Sequence, residues 1–307
     1  MKHLLSLIDW NGKDINNLIT DASKIKKNQK KYSGRLANRT MLMLFEKPSL
    51  RTRVSFEVGM FQMGGHAIFC DSKSTPLGAK ESISDTAKVI SRYCDIIVAR
   101  MFRQEDVEDL ARHSSVPVIN GLTDVFHPCQ ILSDLMSINE KKKKLKGLKL
   151  CFVGDGNNNI THDLLLGCSA AGMDISVGSP KQALPLNFVA EIAARKSRAS
   201  GSKIEITSDP KKAAENADIV YADSWMSYHV PAQEKEARIK MMKPYQVNME
   251  LMAQAKKDAI FMNCLPAMRG YEQTADVIDG KQSIVFDQAE NRLHMQKAII
   301  LNLLNKI

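Results

Sequence analysis

The chain lacks any apolar run that approaches the roughly 20 residues needed to cross a bilayer, which excludes a transmembrane helix. A short apolar stretch near the N-terminus is interrupted by Asp9 and Trp10 before a signal-peptide core can form, so export is not expected. The six cysteines show no Cys-x-x-Cys spacing, which excludes a typical zinc site and favours reduced thiols. No repeat or low-complexity segment supports a solenoid. We therefore expect a soluble cytoplasmic protein with no metal and no membrane association.

Acidic residues are fewer than basic ones: 34 Asp and Glu stand against 43 Lys and Arg, for a formal charge of +9. Such a charge suits nucleic acids, anionic substrates or solubility alone. The densest lysine run, at 141–144, has no interleaved aromatic residues and falls where a linker is expected. This pattern predicts a solvated helix end rather than a nucleic-acid patch, so no nucleic-acid partner is expected.

The chain alternates short apolar runs with longer amphipathic stretches from residue 40 onward. This alternation predicts βα units and a parallel sheet in each half, and 307 residues exceed what one core usually holds. The predicted strands are 41–45, 67–70, 95–99, 116–119, 148–153, 174–177, 203–206, 218–222, 259–262 and 283–286. The predicted helices include 52–63, 84–93, 105–113, 129–140 and 290–304. The predicted fold is α/β: two doubly wound parallel-sheet domains, 1–140 and 148–286, with an interdomain active-site cleft and a C-terminal helix, 287–307, that closes back on the first domain.

A dense polar segment follows the first predicted strand and leads directly into a helix: Phe45-Glu46-Lys47-Pro48-Ser49-Leu50-Arg51-Thr52-Arg53. Ser49 is placed to cap that helix, whose first backbone N–H groups and positive end attract anions. Two hydroxyls and two arginines converge on the same point. A capped helix with solvated arginines would explain any one of these residues, but their density predicts an anion-binding site.

Further polar residues end the later strands of the first half. Arg100 ends the third strand, and His127 and Gln130 follow the fourth, where a helix opens. The carboxyl ends of parallel strands lie along one rim, so we expect these side chains beside the anion site. A lone His-Pro pair is more often a turn, so this interpretation depends on the combination.

The second half begins with a strand that closes on Gly154-Asp155-Gly156-Asn157-Asn158-Asn159. A dinucleotide fingerprint would need glycine at position 159, so a dinucleotide-dependent dehydrogenase is disfavoured. The asparagines better suit a small zwitterion. Two later strands end similarly, in Asp223-Ser224-Trp225-Met226-Ser227-Tyr228-His229 and in Asn263-Cys264-Leu265-Pro266. A tryptophan or cysteine at such a position more often packs than reacts.

These segments, in this order, resemble the motifs of the aspartate and ornithine carbamoyltransferases. Residues 49–53 resemble the family's Ser-Thr-Arg-Thr-Arg phosphate loop, and residues 127–130 resemble its His-Pro-x-Gln element. Residues 154–159, 223–229 and 263–266 resemble its Gly-Asp-x-x-Asn-Asn, Asp-x-Trp-x-Ser-Met-Gly and His-Cys-Leu-Pro elements. The segment from Glu290 resembles Glu-Asn-Arg-x-His-x-Gln-Lys-Ala. The resemblance runs from about residue 5 to residue 304.

The resemblance implies a first domain that binds carbamoyl phosphate. Arg100 and His127 would hold the carbonyl oxygen and Gln130 the carbamoyl amide, and donors aimed at that oxygen stabilise the charge that develops during attack. The whole implied carbamoyl phosphate-binding set is Ser49, Leu50, Arg51, Thr52, Arg100, His127, Gln130, Cys264, Leu265 and Arg292.

The resemblance also implies the activity, which is transfer of the carbamoyl group to the side-chain amine of L-ornithine, giving citrulline and phosphate in arginine metabolism. Asp223 and Cys264 would hold that amine unprotonated, and no cofactor is implied. The implied ornithine-binding residues are Asn159, Asp223, Ser227 and Tyr228, and the implied catalytic residues are Arg100, His127, Asp223 and Cys264. A homo-oligomer, a trimer or a multiple of trimers, is implied as well.

Several positions depart from the family pattern. Leu50 replaces a threonine, Tyr228-His229 replaces Met-Gly and Asn263 replaces a histidine, while Pro76 stands where a glutamine would reach the neighbouring subunit. These departures leave open the carbamoylation of an acylated ornithine or of another diamine. Aspartate is disfavoured by Cys264-Leu265-Pro266. From a different class, a basic nucleic-acid-binding α/β protein remains an alternative, although it would not explain the polar motifs after successive strands.

Overall fold

The computed structural model describes residues 2–71, 81–226 and 232–307. The chain divides into two compact units: unit 1 comprises Met1–Leu7, Asn16–Met136 and Glu290–Ile307, and unit 2 comprises Ile8–Ile15 and Ser137–Ala289. Both units are α/β with parallel sheets, as the sequence predicts. Within the described ranges, no helix is both long enough and apolar enough to cross a membrane.

The sheet of unit 1 is parallel and has the strand order β2-β1-β3-β4 in its described part. Its strands are β1 (Thr40–Phe45), β2 (His66–Asp71), β3 (Ile96–Arg100) and β4 (Val118–Leu122). Every residue of β3 and β4 is buried, as expected for a sheet covered on both faces, whereas β2 at the edge is only partly covered. The helices that lie wholly in this unit are α2 (Gln29–Tyr32), α3 (Leu50–Gln62), α4 (Ile83–Ile90) and α5 (Gln104–His113).

The sheet of unit 2 is also parallel, with the described order β7-β6-β5-β8-β9. Its strands are β5 (Lys149–Val153), β6 (Asp174–Gly178), β7 (Ile204–Thr207), β8 (Ile219–Ala222) and β9 (Ile260–Asn263). Its helices are α7 (Asn159–Ala171), α8 (Asn187–Ser200), α9 (Pro210–Ala214), α10 (Lys235–Met242), α11 (Met249–Met252) and α12 (Ala275–Ile278). Cys151 and Phe261 pack in a core between this sheet and its helices.

Three helices contain residues of both units: α1 (Gly12–Lys27), α6 (Pro128–Lys142) and α13 (Val285–Leu303). The first of these was not predicted from the sequence. The predicted strand at 283–286 is wrong, because Ser283 makes only an isolated bridge to Phe261 and the chain enters α13 at Val285. Phe286 is 72% exposed, which an inner strand would not allow. A run of three apolar residues, 284–286, suits either a strand or a helix, and its last two residues begin helix α13 here.

Strand order places the functional segments. In unit 1 the order reverses between β1 and β3, and in unit 2 it reverses between β5 and β8. Ligands of open α/β sheets bind beyond the carboxyl ends of the strands at such reversals. The segments that begin at Glu46, Met101, Gly154 and Asp223 follow these four strands directly.

Candidate active site

The predicted phosphate loop forms the start of helix α3 in unit 1. Ser49 is the N-cap, and its hydroxyl accepts a hydrogen bond from the backbone N–H of Thr52 at 3.3 Å. Leu50 is 76% exposed, and its side chain has no polar atom, so it can offer an anion only its backbone N–H. Arg51 is half-buried in the first turn. The remaining N–H groups and the helix dipole leave this terminus suited to phosphate.

Arg53 is separated from this group by its own contacts. It donates to Glu57 at 3.0 Å, and its guanidinium carbon lies 3.8 Å from the centre of the Phe69 ring. Arg53 therefore differs from Arg51, because its guanidinium contacts the side chains of Glu57 and Phe69.

Arg100 lies at the end of β3, directly beside the end of β1. It pairs with Phe45 in the sheet register, its carbonyl oxygen accepts from the N–H of Glu46, and its side chain is 4% exposed. On its other side the register shifts, so that Ala99 pairs with Asn120 but Arg100 pairs with Leu122. Gly121 is the extra residue of this bulge. A bulge bends the strand that carries the extra residue, so this one redirects the end of β4 beside Arg100.

Arg292 joins two other predicted residues of unit 1 in one buried hydrogen-bond network. Its guanidinium donates to Gln130 Oε1 at 2.8 Å and to Thr52 Oγ1 at 3.1 Å. All three side chains are at most 4% exposed. This hydrogen-bond network connects the phosphate loop, helix α6 and helix α13, which are far apart in sequence.

His127 lies at the entrance to helix α6 and is 4% exposed. Burial, and then the positive charges of Arg292 and Arg100, lower the pKa of His127 well below its usual value. The imidazole is therefore neutral at pH 7, and it can donate one N–H while its other nitrogen accepts.

Lys47 is a further candidate site residue, whose role its sequence position does not predict. It is 3% exposed, and its ammonium nitrogen lies 4.5 Å from the centre of the Phe102 ring. Burial and then the charge of Arg100 lower the pKa of Lys47 to about 8. A lysine directly between an apolar strand and a Pro-Ser helix cap was the sequence signal that could have identified it.

In unit 2 the sheet register brings Asp223 and Cys264 together. Ala222 pairs with Asn263, so the residues that follow them leave adjacent strands at the same level. Cys264 Sγ donates to Asp223 Oδ1 at 3.1 Å. Burial raises the pKa of Asp223, the hydrogen bonds from Cys264 and from the N–H of Ser224 lower it, and the charge of Asp155 raises it.

Asp155 and Arg238 form an ion pair beside this group that the sequence did not predict. Asp155 follows β5 and is 1% exposed, and Arg238 lies on helix α10. Arg238 also donates through Nε to the carbonyl oxygen of Trp225 at 2.5 Å. One guanidinium therefore holds the segment after β5 to the segment after β8.

Asn263, which replaces the family's histidine, is fully buried. Its side-chain oxygen accepts from the N–H of Leu265 at 2.8 Å, and its amide nitrogen donates to Gln273 at 3.0 Å. Leu265 itself is half-buried with a φ of 56°. Asn263 thus shapes the turn that presents Cys264.

The asparagine segment after β5 divides its roles. Asn158 is the N-cap of helix α7, and its side chain accepts from the N–H of Thr161 at 2.8 Å. Asn159, the predicted ligand residue, is half-buried in the first turn. The predicted ligand residues Ser227 and Tyr228, together with Pro76, lie outside the described residues.

Two family models match this chain. The family "Aspartate/ornithine carbamoyltransferase, carbamoyl-P binding domain" matches residues 2–140, and "Aspartate/ornithine carbamoyltransferase, Asp/Orn binding domain" matches residues 146–303. An ornithine carbamoyltransferase of Bacillus subtilis is 48% identical over 305 residues, which cover 99% of this chain and 94% of the relative. One from Methanocaldococcus jannaschii is 46% identical and covers 97% of each chain.

Solved structures give the same result. The ornithine carbamoyltransferase of Pyrococcus furiosus superposes with a TM-score of 0.96 at 45% identity, covering 100% of this chain and 98% of the other. That of Campylobacter jejuni superposes with a TM-score of 0.93 at 35% identity over 100% of both. The chain belongs to the aspartate/ornithine carbamoyltransferase family, on its ornithine carbamoyltransferase branch.

Proposed function

We propose that this chain transfers the carbamoyl group of carbamoyl phosphate to the side-chain amine of L-ornithine, giving L-citrulline and phosphate. The observation that carries the proposal is the buried hydrogen-bond network of Thr52, Arg292 and Gln130 in unit 1. It links a helix N-terminus suited to phosphate to an amide suited to a carbamoyl group. A plain phosphate site would not require the amide.

The phosphate is held by Ser49, Arg51, Thr52 and the first N–H groups of helix α3, because charge-assisted and helix-terminal contacts to phosphate are the strongest of those present. The carbonyl oxygen is held by Arg100 and His127. As the amine attacks, negative charge grows on that oxygen, and these preorganised donors stabilise it. His127 acts there as a neutral donor, because its pKa is lowered.

The amine must lose its proton before it can attack, since an ornithine side-chain amine has a pKa near about 10.4 and is mostly charged at neutral pH. Asp223 and Cys264 hold it, with Asn159, Ser227 and Tyr228 on the rest of the amino acid. Burial raises the pKa of Asp223, which makes this carboxylate a better proton acceptor than an exposed one. The nitrogen lone pair then forms the new C–N bond while the C–O bond to phosphate breaks. Phosphate leaves with the electron pair of that bond and takes up the proton that the attacking nitrogen loses.

A citrulline-forming assay tests the proposal. Ornithine, acetylornithine, putrescine and aspartate are compared at equal concentration with carbamoyl phosphate in excess. Ornithine should give the highest kcat/KM. A preference for acetylornithine or putrescine would instead support the acylated-ornithine or diamine alternative, and turnover of none of the four would contradict the proposed activity.

The chain also forms a homo-oligomer under this proposal, a trimer or a multiple of trimers. Leu50, Val54 and Phe61 recur on one face of helix α3, and Phe61 is 79% exposed. Strand β2 lies at the edge of the described sheet beside that helix, with Ile68 43% exposed. Contiguous exposed apolar residues and an open strand edge favour association with another copy.

We place the enzyme in the cytoplasm. All six cysteines lie in the described parts of the chain, and none of them is in a disulfide. Reduced thiols are typical of that compartment.

The lysine run at 141–144 forms ion pairs within unit 2, where Lys141 pairs with Asp287 and Lys142 pairs with Asp258.

A further inference from the structure

Asp134 is a fully buried carboxylate behind the proposed carbamoyl site of unit 1. It lies on helix α6 one turn after Gln130, and it accepts a hydrogen bond from Gln130 Nε2 at 2.9 Å. The other end of the same amide, Gln130 Oε1, accepts from Arg292 at 2.8 Å. The Gln130 amide is therefore held between a carboxylate and a guanidinium.

This arrangement permits only one orientation of the amide. A guanidinium donates and cannot accept, while Asp134 accepts here. The flipped amide would place oxygen against the carboxylate and NH₂ against the guanidinium, losing two charge-assisted hydrogen bonds. Gln130 thus presents a carbonyl oxygen that has two lone pairs, of which Arg292 uses one.

We propose that Asp134 is a positioning residue that makes the site select a carbamoyl group over an acyl group of the same shape. By holding Gln130 Nε2, Asp134 fixes the amide so that the second lone pair of Gln130 Oε1 can accept a hydrogen bond from the ligand's NH₂. A ligand with a methyl group at that position cannot donate, and it leaves the buried oxygen without its second partner. The proposal rests on the assignment of carbamoyl phosphate to this site.

Acetyl phosphate is the matched probe, because it differs from carbamoyl phosphate by a methyl group in place of NH₂. Affinities of both ligands are measured by calorimetry on the full-length chain without ornithine. One buried hydrogen bond corresponds to a preference of about tenfold for carbamoyl phosphate in the wild type.

Two variants at position 134 test the role of the carboxylate. Asp134→Asn keeps the shape, but its amide accepts Gln130 in either orientation and leaves Arg292 alone to fix it, so the preference should fall by about threefold. Asp134→Ala removes the acceptor, and the preference should fall to about one. Affinity for acetyl phosphate should stay near that of the wild type in both. In a Gln130→Leu background, Asp134→Asn should change nothing further, since residues that act as a unit are not additive.

Asp95→Asn is the structural control in the same unit. Asp95 accepts from the N–H of Thr40 at 2.8 Å and pairs with Arg39, so its loss should lower stability and leave the ligand preference unchanged. A parallel loss of both ligands in the position 134 variants would show that Asp134 only supports the fold, and it would overturn the proposal. An unchanged preference in both variants would overturn it too.

The outcome separates this inference from the proposed function. If the wild type binds carbamoyl phosphate but does not prefer it over acetyl phosphate, the selection mechanism is wrong and the substrate assignment stands. If the wild type does not bind carbamoyl phosphate at all, the assignment of unit 1 fails, and the role of Asp134 fails with it.

Discussion

Cys264 Sγ donates a hydrogen bond to Asp223 Oδ1 across 3.1 Å in unit 2. The two residues are 41 positions apart, yet each follows a strand whose last residue pairs with that of the other. A thiol is a weak donor, so a stronger donor such as an ammonium group can displace it from the carboxylate. A cationic ligand at Asp223 would therefore replace the hydrogen bond from the Cys264 thiol.

Asp223→Asn should weaken ornithine far more than carbamoyl phosphate. The substitution keeps the size of the side chain and removes the charge that pairs with an ammonium group, so kcat/KM for ornithine should fall by about a hundredfold. Carbamoyl phosphate affinity, measured alone by calorimetry, should stay within about twofold.

The control is Asp218→Asn, one residue before the start of strand β8. Asp218 accepts from the N–H of Lys149 at 2.8 Å and pairs with Lys256 at 2.7 Å, so its loss should affect stability and leave the kinetics intact. Undiminished ornithine turnover in Asp223→Asn would contradict the assignment of unit 2.

Arg51→Ala should remove most carbamoyl phosphate binding, because a guanidinium in the first turn of helix α3 gives the phosphate a charge-assisted contact. The expected loss is about a hundredfold in Kd by calorimetry. Arg53→Ala is matched in charge and position, but Arg53 is held by Glu57 and Phe69, so it should bind nearly as well as the wild type. Equal losses in both variants would mean that the loop acts only through net charge.

Lys47 should make carbamoyl phosphate binding depend on pH. Its pKa is lowered to about 8 by burial, so affinity should weaken as the pH rises through 8 and the ammonium loses its charge. Lys47→Arg keeps its charge at higher pH and should flatten this dependence, whereas Lys47→Met should bind weakly at every pH. Calorimetry on either side of pH 8 measures the difference, and an identical alkaline decline in Lys47→Met would assign the effect to another group.

The same lysine affects stability with a defined sign. Between pH 8 and its ordinary value of 10.5, the unfolded chain binds more protons at this position than the folded chain. The free energy of unfolding should therefore rise with pH across that window in the wild type relative to Lys47→Met. Urea unfolding at both ends of the window checks the direction, and a relative fall would mean that Lys47 is not buried as described.

Arg238→Met should destabilise unit 2 by about 3 kcal/mol, since it removes the guanidinium that pairs with the buried carboxylate of Asp155. Asp155 is 1% exposed, and the ion pair with Arg238 is 14% exposed on the arginine side. Adding Asp155→Asn should recover much of that loss in urea unfolding, because the buried charge is removed. Additive losses in the double variant would show that the two side chains are not coupled.

Phe61→Asp should weaken the proposed oligomer. The side chain is 79% exposed on the apolar face of helix α3, and a charge buried between copies is unfavourable. Light scattering should show smaller particles for Phe61→Asp, while Phe286→Asp, at a residue 72% exposed in unit 2, serves as the control. A wild type that is a fully active monomer would refute the oligomer.

The sequence predicted the positions of candidate residues best where strand ends determine them. Arg100 ends a buried strand of unit 1, and Asp223 and Cys264 follow buried strands of unit 2, so parallel pairing places each of them at the carboxyl edge of its own sheet. It failed at 283–286, where a short apolar run suits either a strand or a helix.

Side-chain pairings between distant elements could not be predicted in this way. The bond from Arg292 to Gln130 spans 162 positions, and the pair of Arg238 with Asp155 spans 83. Arg238 lies in no motif, and nothing in its neighbourhood indicates a buried partner. Such contacts depend on the orientation of packed helices, which periodicity does not specify.

The bulge at Gly121 makes the number of residues in β4 matter as much as their chemical type. A Cβ atom at this position would lie 3.2 Å from the Val98 side chain and 3.5 Å from the Arg100 Cβ, closer than packing comfortably allows at the first of these. The faces of a strand alternate, so deleting the extra residue would turn the following side chains to the opposite face of the sheet. Over evolutionary time, β4 can exchange one buried apolar residue for another, but it cannot gain or lose a residue at the bulge without reversing the face of the sheet on which Leu122 lies.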